Sequence, residues 1–162
     1  MSKIGIISDT HGLLHETALA VQMFREHDVH TVIHCGDIGS SAVVQVFEGL
    51  ETHFVLGNMD GDGESLRHAI EETGHHLHGW LGTLEIAGKR ITFLHGHRSE
   101  EFERELASGN GDLLCYGHTH IASLQMYGMT MLLNPGAFKR VLRPSIAIVT
   151  LPELTVKRLD VG

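Results

Sequence analysis

Residues 3–12 read KIGIISDTHG, a short β-branched apolar run that stops at an aspartate, a histidine and a glycine. The run predicts a strand, and Leu14, Ala18, Val21 and Phe24 then fall at helical spacing through Arg25. The alternation continues. TVIHC from Thr31 is a second strand, followed by a short helix in which Ser40 or Ser41 can cap, Val43, Val44 and Phe47 share a face, and Gly49 stops. HFVLG from His53 is a third strand, with a helix near Glu64 to Thr73. A βαβαβα opening predicts a parallel sheet with crossover helices.

The second half changes character. LGTLEIAGKRITFLHG reads as two strands turning at Ala87 to Lys89. Ser99 can cap a helix whose positive end suits Glu100 and Glu101, whose Phe102 and Leu106 pack one turn apart, and which Gly109 ends. After LLCYG, the segments SLQMYG, TMLLNPG, SIAIVTL and LTVKRLDV are all strand-like, with Pro152 and Glu153 turning the last pair. Parallel strands first and antiparallel strands later imply a mixed architecture of two packed sheets with helices outside. With no long linker and no internal repeat, residues 1–162 are expected to form one domain.

The polar residues share one placement. Asp9 and His11 follow the first strand, Asp37 the second and Asn58 the third; His95 closes ITFLHG, and His118 and His120 follow LLCYG. These are the strand ends where open α/β sheets hold ligands. Gly12, Gly36, Gly57, Gly61, Gly96 and Gly117 lie beside them, as tight turns and close backbone approach require. Singly, Asp9 and Asp37 read as helix caps, Asn58 as a turn residue and His95 as a core histidine. If the backbone around His118 and His120 stays extended, both imidazoles project to one side and can grip one object.

The 14 histidines come with a net charge of -8, which argues against gripping nucleic acid by its backbone, since that mode needs a basic surface. The one mild basic cluster is Lys139, Arg140 and Arg143. An anionic substrate still fits if a bound cation dominates the site. No apolar run approaches the roughly 18 residues of a membrane span, and the amino terminus carries no signal-like stretch, so a cytoplasmic protein is expected. Cys35 and Cys115 sit in apolar stretches, where buried reduced thiols are expected. His75, His76 and His78 match no motif and are expected on a surface strand or turn.

The ordered series DTHG, HCGD, GNMD, HGH and GHTH, spread from residue 9 to residue 120, resembles the calcineurin-like metallophosphoesterase superfamily. Within it the chain is similar to the small prokaryotic phosphodiesterases, the branch that also contains the retromer subunit Vps29. NPGA at Asn134–Ala137 and the strand-rich tail extend the likeness over nearly the whole chain. The resemblance implies an α/β fold, a four-layer αββα sandwich of two mixed sheets flanked by helices, with a two-metal site at one edge. Asp9, His11 and His120 would hold one ion and Asn58, His95 and His118 the other, with Asp37 bridging. It further implies a phosphodiesterase in which a bridging hydroxide attacks a small phosphodiester, with Asp37, Asn58 and His97 as catalytic residues. His97 would contact phosphate or orient a ligand.

The donor set agrees with that chemistry. Imidazole, carboxylate and amide oxygen without thiolate suit two divalent transition-metal ions, manganese foremost and nickel, iron, cobalt or zinc as alternatives, better than magnesium or calcium. Two such ions with two aspartates and a hydroxide leave about +1, matched to a phosphodiester monoanion. Many superfamily members carry histidine after the motif asparagine to protonate the leaving group; here Met59 stands there, and a thioether donates no proton. The alternative is a non-catalytic interaction scaffold of the same fold, as in the retromer subunit. An uncapped pocket and the strand-rich carboxyl end are compatible with a homodimer.

Overall fold

Strand β1 (Ser2–Ile7) sits inside a six-stranded sheet of a computed structural model that describes residues 1–61 and 63–162. Helix α1 (Leu14–Glu26), β2 (Thr31–His34), α2 (Ser41–Val46), β3 (Glu51–Phe54), α3 (Glu64–Glu72) and β4 (His76–Leu77) follow, and β1 to β4 run parallel. The last two strands, β10 (Ser145–Leu151) and β11 (Thr155–Asp160), return to this sheet antiparallel on the free side of β1, giving the order β11-β10-β1-β2-β3-β4. A five-stranded sheet holds β5 (Leu81–Ile86), β6 (Lys89–Leu94), β7 (Leu113–Cys115), β9 (Thr130–Asn134) and β8 (Ser123–Tyr127) in that spatial order. Helix α4 (Ser99–Ser108) connects β6 to β7.

Three apolar clusters define four layers. Val21 and Phe24 of α1, Val43 and Val44 of α2, and Leu66 and Ile70 of α3 pack on one face of the first sheet. Gly5 makes this possible at β1, because a Cβ there would collide with the Phe24 ring. The opposite face contributes Ile4, Ile6, Ile33 and Val55, which meet Ile91, Phe93, Leu113 and Leu133 of the second sheet. Leu94, Leu114 and Leu132 point outward to Phe102 and Leu106 of α4. The architecture is therefore helices, sheet, sheet, helix.

Several local expectations need correction. The second sheet is not antiparallel throughout: β5–β6 and β8–β9 are, but β6, β7 and β9 run parallel. The α4 crossover returns the chain to the same end of the sheet, which a reading of successive strands does not reveal. Ser99 is the first residue of α4 rather than its cap; Arg98 holds the cap position without a side-chain bond. Ser40 occupies the cap position of α2 but makes no capping bond, and that helix ends before Phe47, two residues ahead of Gly49. His76 is on a strand and exposed, but His75 is buried and His78 half-buried, so the three do not form a surface stretch. Cys35 and Cys115 are buried free thiols, their ionisation pushed up by burial. Among the described residues, no helix is long and apolar enough to cross a membrane.

Candidate metal centre

Loops leaving β1, β2, β3, β6 and β7 converge at one edge of the two sheets. Backbone bonds tie them together: the Asp9 N–H donates to Gly36 O at 3.0 Å, that of His11 to Asp37 O at 3.0 Å, and that of Gly117 to His95 O at 3.0 Å. Asp9, His11, Asp37, His118 and His120 all hold positive φ, between 46° and 68°. Left-handed backbone is costly for residues with a Cβ and persists where surrounding structure over-determines it, commonly at functional sites. The extended path considered for His118 and His120 is thus replaced by two left-handed kinks.

Each aspartate has one oxygen anchored and one aimed inward. Asp9 Oδ2 accepts from Ser8 Oγ at 2.6 Å and from the His118 N–H at 3.1 Å. Among the described residues its buried Oδ1 has no hydrogen-bond partner, yet it lies 3.1 Å from His120 Nε2, 3.5 Å from His11 Nε2 and 3.9 Å from His95 Nε2. Asp37 Oδ1 accepts from the Met59 N–H at 2.9 Å, while Oδ2 faces His95 Nε2 at 3.2 Å and His11 Nε2 at 3.7 Å.

The imidazoles are oriented from behind. His95 Nδ1 donates to Cys35 O at 2.8 Å and His120 Nδ1 to Lys139 O at 2.9 Å. A carbonyl only accepts, so Nδ1 carries the proton, and the neutral ring presents its Nε2 lone pair to the carboxylates. Lone pairs aimed at carboxylate oxygens repel unless a cation lies between them. His95 Nε2 is at ion-pair range of Asp37 but misaligned for a hydrogen bond, and it too is buried without a partner among the described residues. The residues therefore fit divalent metal. Asp9 with His11 and His120 forms one group able to hold an ion, and Asp9 with Asp37 and His95 forms a second.

Burial opposes charge on both Asp37 and His95. The His95 imidazole beside it and the Met59 N–H nevertheless hold the Asp37 carboxyl below its usual range, and the closeness of Asp37 and Asp9 raises the His95 pKa. His97 is lowered, first by burial and then by His95 and His118. Its ring stands 5.4 Å from His95 and 5.5 Å from Trp80, and its buried Nδ1 has no partner among the described residues. His118 packs edge-on to His95 at 5.1 Å but joins neither group. It is exposed, as is Asn58, and both border the same ≈ 260 Å³ cleft, with Met59, Lys139 and Arg140 along the rim. The structure thus gathers Asp9, His11, Asp37, His95 and His120 tightly, with Asp9 common to both groups, and leaves Asn58 and His118 on the cleft wall.

Residues not expected as ligands support the centre from behind. His34 is wholly buried; the Gly36 N–H donates to its Nδ1 at 3.2 Å, so its Nε2 donates to Thr10 Oγ1 at 2.9 Å, and Thr10 donates onward to Ile38 O at 3.0 Å. Asn134 Nδ2 donates to Gly117 O at 3.1 Å and Thr119 Oγ1 at 3.0 Å, fixing the loop that carries His118 and His120. Asn134 opens the NPGA motif, which was the one sequence signal for this role.

The family model of the calcineurin-like phosphoesterase superfamily domain matches residues 2–154. A phosphodiesterase of Methanocaldococcus jannaschii is 34% identical over 137 residues, 83% of this chain and 82% of that protein. The solved structure of a novel archaeal phosphodiesterase superposes with a TM-score of 0.91 at 30% identity, covering 98% of this chain and 99% of the other. Vps29 of Entamoeba histolytica shares the fold, with a TM-score of 0.72 at 18% identity over 99% of each chain.

Proposed function

Because the chain belongs to the calcineurin-like phosphoesterase superfamily, we propose that it hydrolyses small phosphodiesters with two divalent transition-metal ions at the strand-end cleft. The observation that carries this reading is the pair of inward carboxylate oxygens, Asp9 Oδ1 and Asp37 Oδ2, facing imidazole lone pairs across 3.1 to 3.9 Å. Asp9, His11 and His120 would hold one ion, and Asp37, His95, Asn58 and His118 the other, with Asp37 reaching toward both through its approaches to His11 and His95. Bound there, two such ions would polarise the phosphoryl oxygens and supply a deprotonated water as nucleophile.

The chain's own groups do the rest. Lys139 and Arg140, on the exposed rim, add positive charge where a phosphodiester enters. His97, kept neutral by burial, stands beside His95 and is placed to contact phosphate or to brace its neighbour. Met59 offers no proton to a leaving group, so esters that release a stable anion are the preferred class. Imidazole with carboxylate and amide oxygen, and no thiolate, favours manganese, nickel, iron, cobalt or zinc over magnesium or calcium.

Chelated protein assayed on an aryl phosphodiester, with and without manganese or nickel, tests the reading. Turnover that appears only with metal is expected; none under any metal would leave the interaction scaffold. His11→Ala and His118→Ala should each weaken mainly one ion, and equal loss of both ions in both variants would overturn the division of ligands.

A further inference from the structure

Away from the cleft, at the edge of the first sheet, Glu51 begins β3 and His76 begins β4, and parallel pairing sets His53 directly beside His76. Their rings stack at 4.5 Å with planes 16° apart. Glu51 Oε1 lies 3.4 Å from His53 Nε2 and 3.6 Å from His76 Nε2. We propose that Glu51, His53 and His76 form a further metal site, independent of the phosphoesterase centre, for a borderline divalent ion such as zinc, cobalt or nickel.

The spacing is the first argument. Two ligands about 2.0 to 2.1 Å from a tetrahedral ion lie roughly 3.3 Å from each other, close to both distances from Glu51. Orientation is the second. His53 Nδ1 and His78 Nε2 share a hydrogen bond at 2.9 Å. With His53 donating, its Nε2 lone pair is left free beside Glu51, the arrangement in which a ligating histidine is braced through its other nitrogen. His78 is itself seated edge-on against Phe93 at 5.1 Å, and Gly82 leaves it room, since a Cβ there would press on the imidazole at 2.9 Å.

Access is the third argument. His53 is buried, whereas the side chains of Glu51 and His76 are 58% and 50% exposed, so an ion enters from solvent and keeps water as its fourth ligand. Bound there, it joins the starts of β3 and β4, the least extensive pairing of the sheet, which spans two residue pairs. The site then acts as a clip on the sheet edge.

The full chain, stripped with chelator and dialysed against cobalt or zinc, tests this. One equivalent beyond the cleft's content is expected, and it should persist in Asp37→Asn. His76→Gln and Glu51→Gln, both at exposed positions, should remove that equivalent or weaken it at least tenfold while leaving the melting temperature of the stripped protein unchanged. His78→Gln should weaken it about 10- to 100-fold, the usual cost of losing a brace. The cobalt form should show a visible absorption band of tetrahedral type that His76→Gln abolishes. An additional ion retained by His76→Gln, or none bound by the native chain, overturns the assignment and leaves the cluster as an ion pair.

Discussion

His34 makes the chain acid-labile by an amount that can be worked out. It is wholly buried behind the centre, and burial first, then the nearby His95, lowers its pKa from 6.5 to about 3. The native ring therefore stays neutral between pH 6.5 and 3, whereas the unfolded chain takes up a proton as soon as pH falls below about 6.5. Stability from this residue is complete above pH 6.5 and is lost as pH drops through that window, at ~1.4 kcal/mol per unit. Between pH 7 and 5 the loss is about 2 kcal/mol, which at an ordinary urea dependence shifts the unfolding midpoint by about 1 M. His34→Gln keeps a donor for Thr10 and an acceptor for the Gly36 N–H, and does not titrate. Urea unfolding of chelated protein at pH 7 and pH 5 should then show the native chain losing about 2 kcal/mol more than the variant. His53, which does not act on His34, titrates in both proteins and cancels in the difference. Equal losses in the two would refute a neutral, buried His34.

Asp37→Asn should cut metal content and lower turnover by more than about 100-fold, since losing even a group that only orients a metal ligand costs about 10- to 100-fold; retained metal with near-normal rates would contradict the role given to Asp37. Gly57→Ala should act like a ligand mutation although Gly57 ligates nothing, because its Cβ would collide with Asp37 Oδ1 and the Asp37 backbone nitrogen. Its expected signature is reduced metal affinity with a stability loss of about 1 to 3 kcal/mol by thermal melt; unaltered affinity would show that the loops relax freely. Met59, 66% exposed, neighbours the cleft, so Met59→His should flatten the dependence of rate on leaving-group basicity by less than the ~100-fold typical of a well-supported general acid. Asp60 will not steady the new ring, because its carboxylate already accepts from the N–H groups of Gly57 at 2.8 Å and Gly39 at 3.2 Å. An unchanged slope in a leaving-group series would place residue 59 away from the departing oxygen.

The order of elements was legible in the sequence because its causes are local: β-branched apolar runs for strands, helical spacing between them, and a polar residue with glycine at each strand end. KIGIISDTHG already contains a strand, a turn and two of the residues proposed as ligands. What local pattern cannot carry is which strands become neighbours. The parallel β6–β7–β9 pairing, the return of β10 beside β1, and the meeting of His53 with His76 depend on contacts between residues far apart in the chain. The same holds for the polar network. His34 reads as one more member of an apolar strand until Thr10 and Gly36 are seen to fix its tautomer, and Asn134 lies 16 residues from the His118 whose loop it holds. Only the packed sheets decide that the loop backbones turn left-handed at Asp9, His11, Asp37, His118 and His120. Such strain is unfavourable locally and survives because buried hydrogen bonds between separate loops hold it in place.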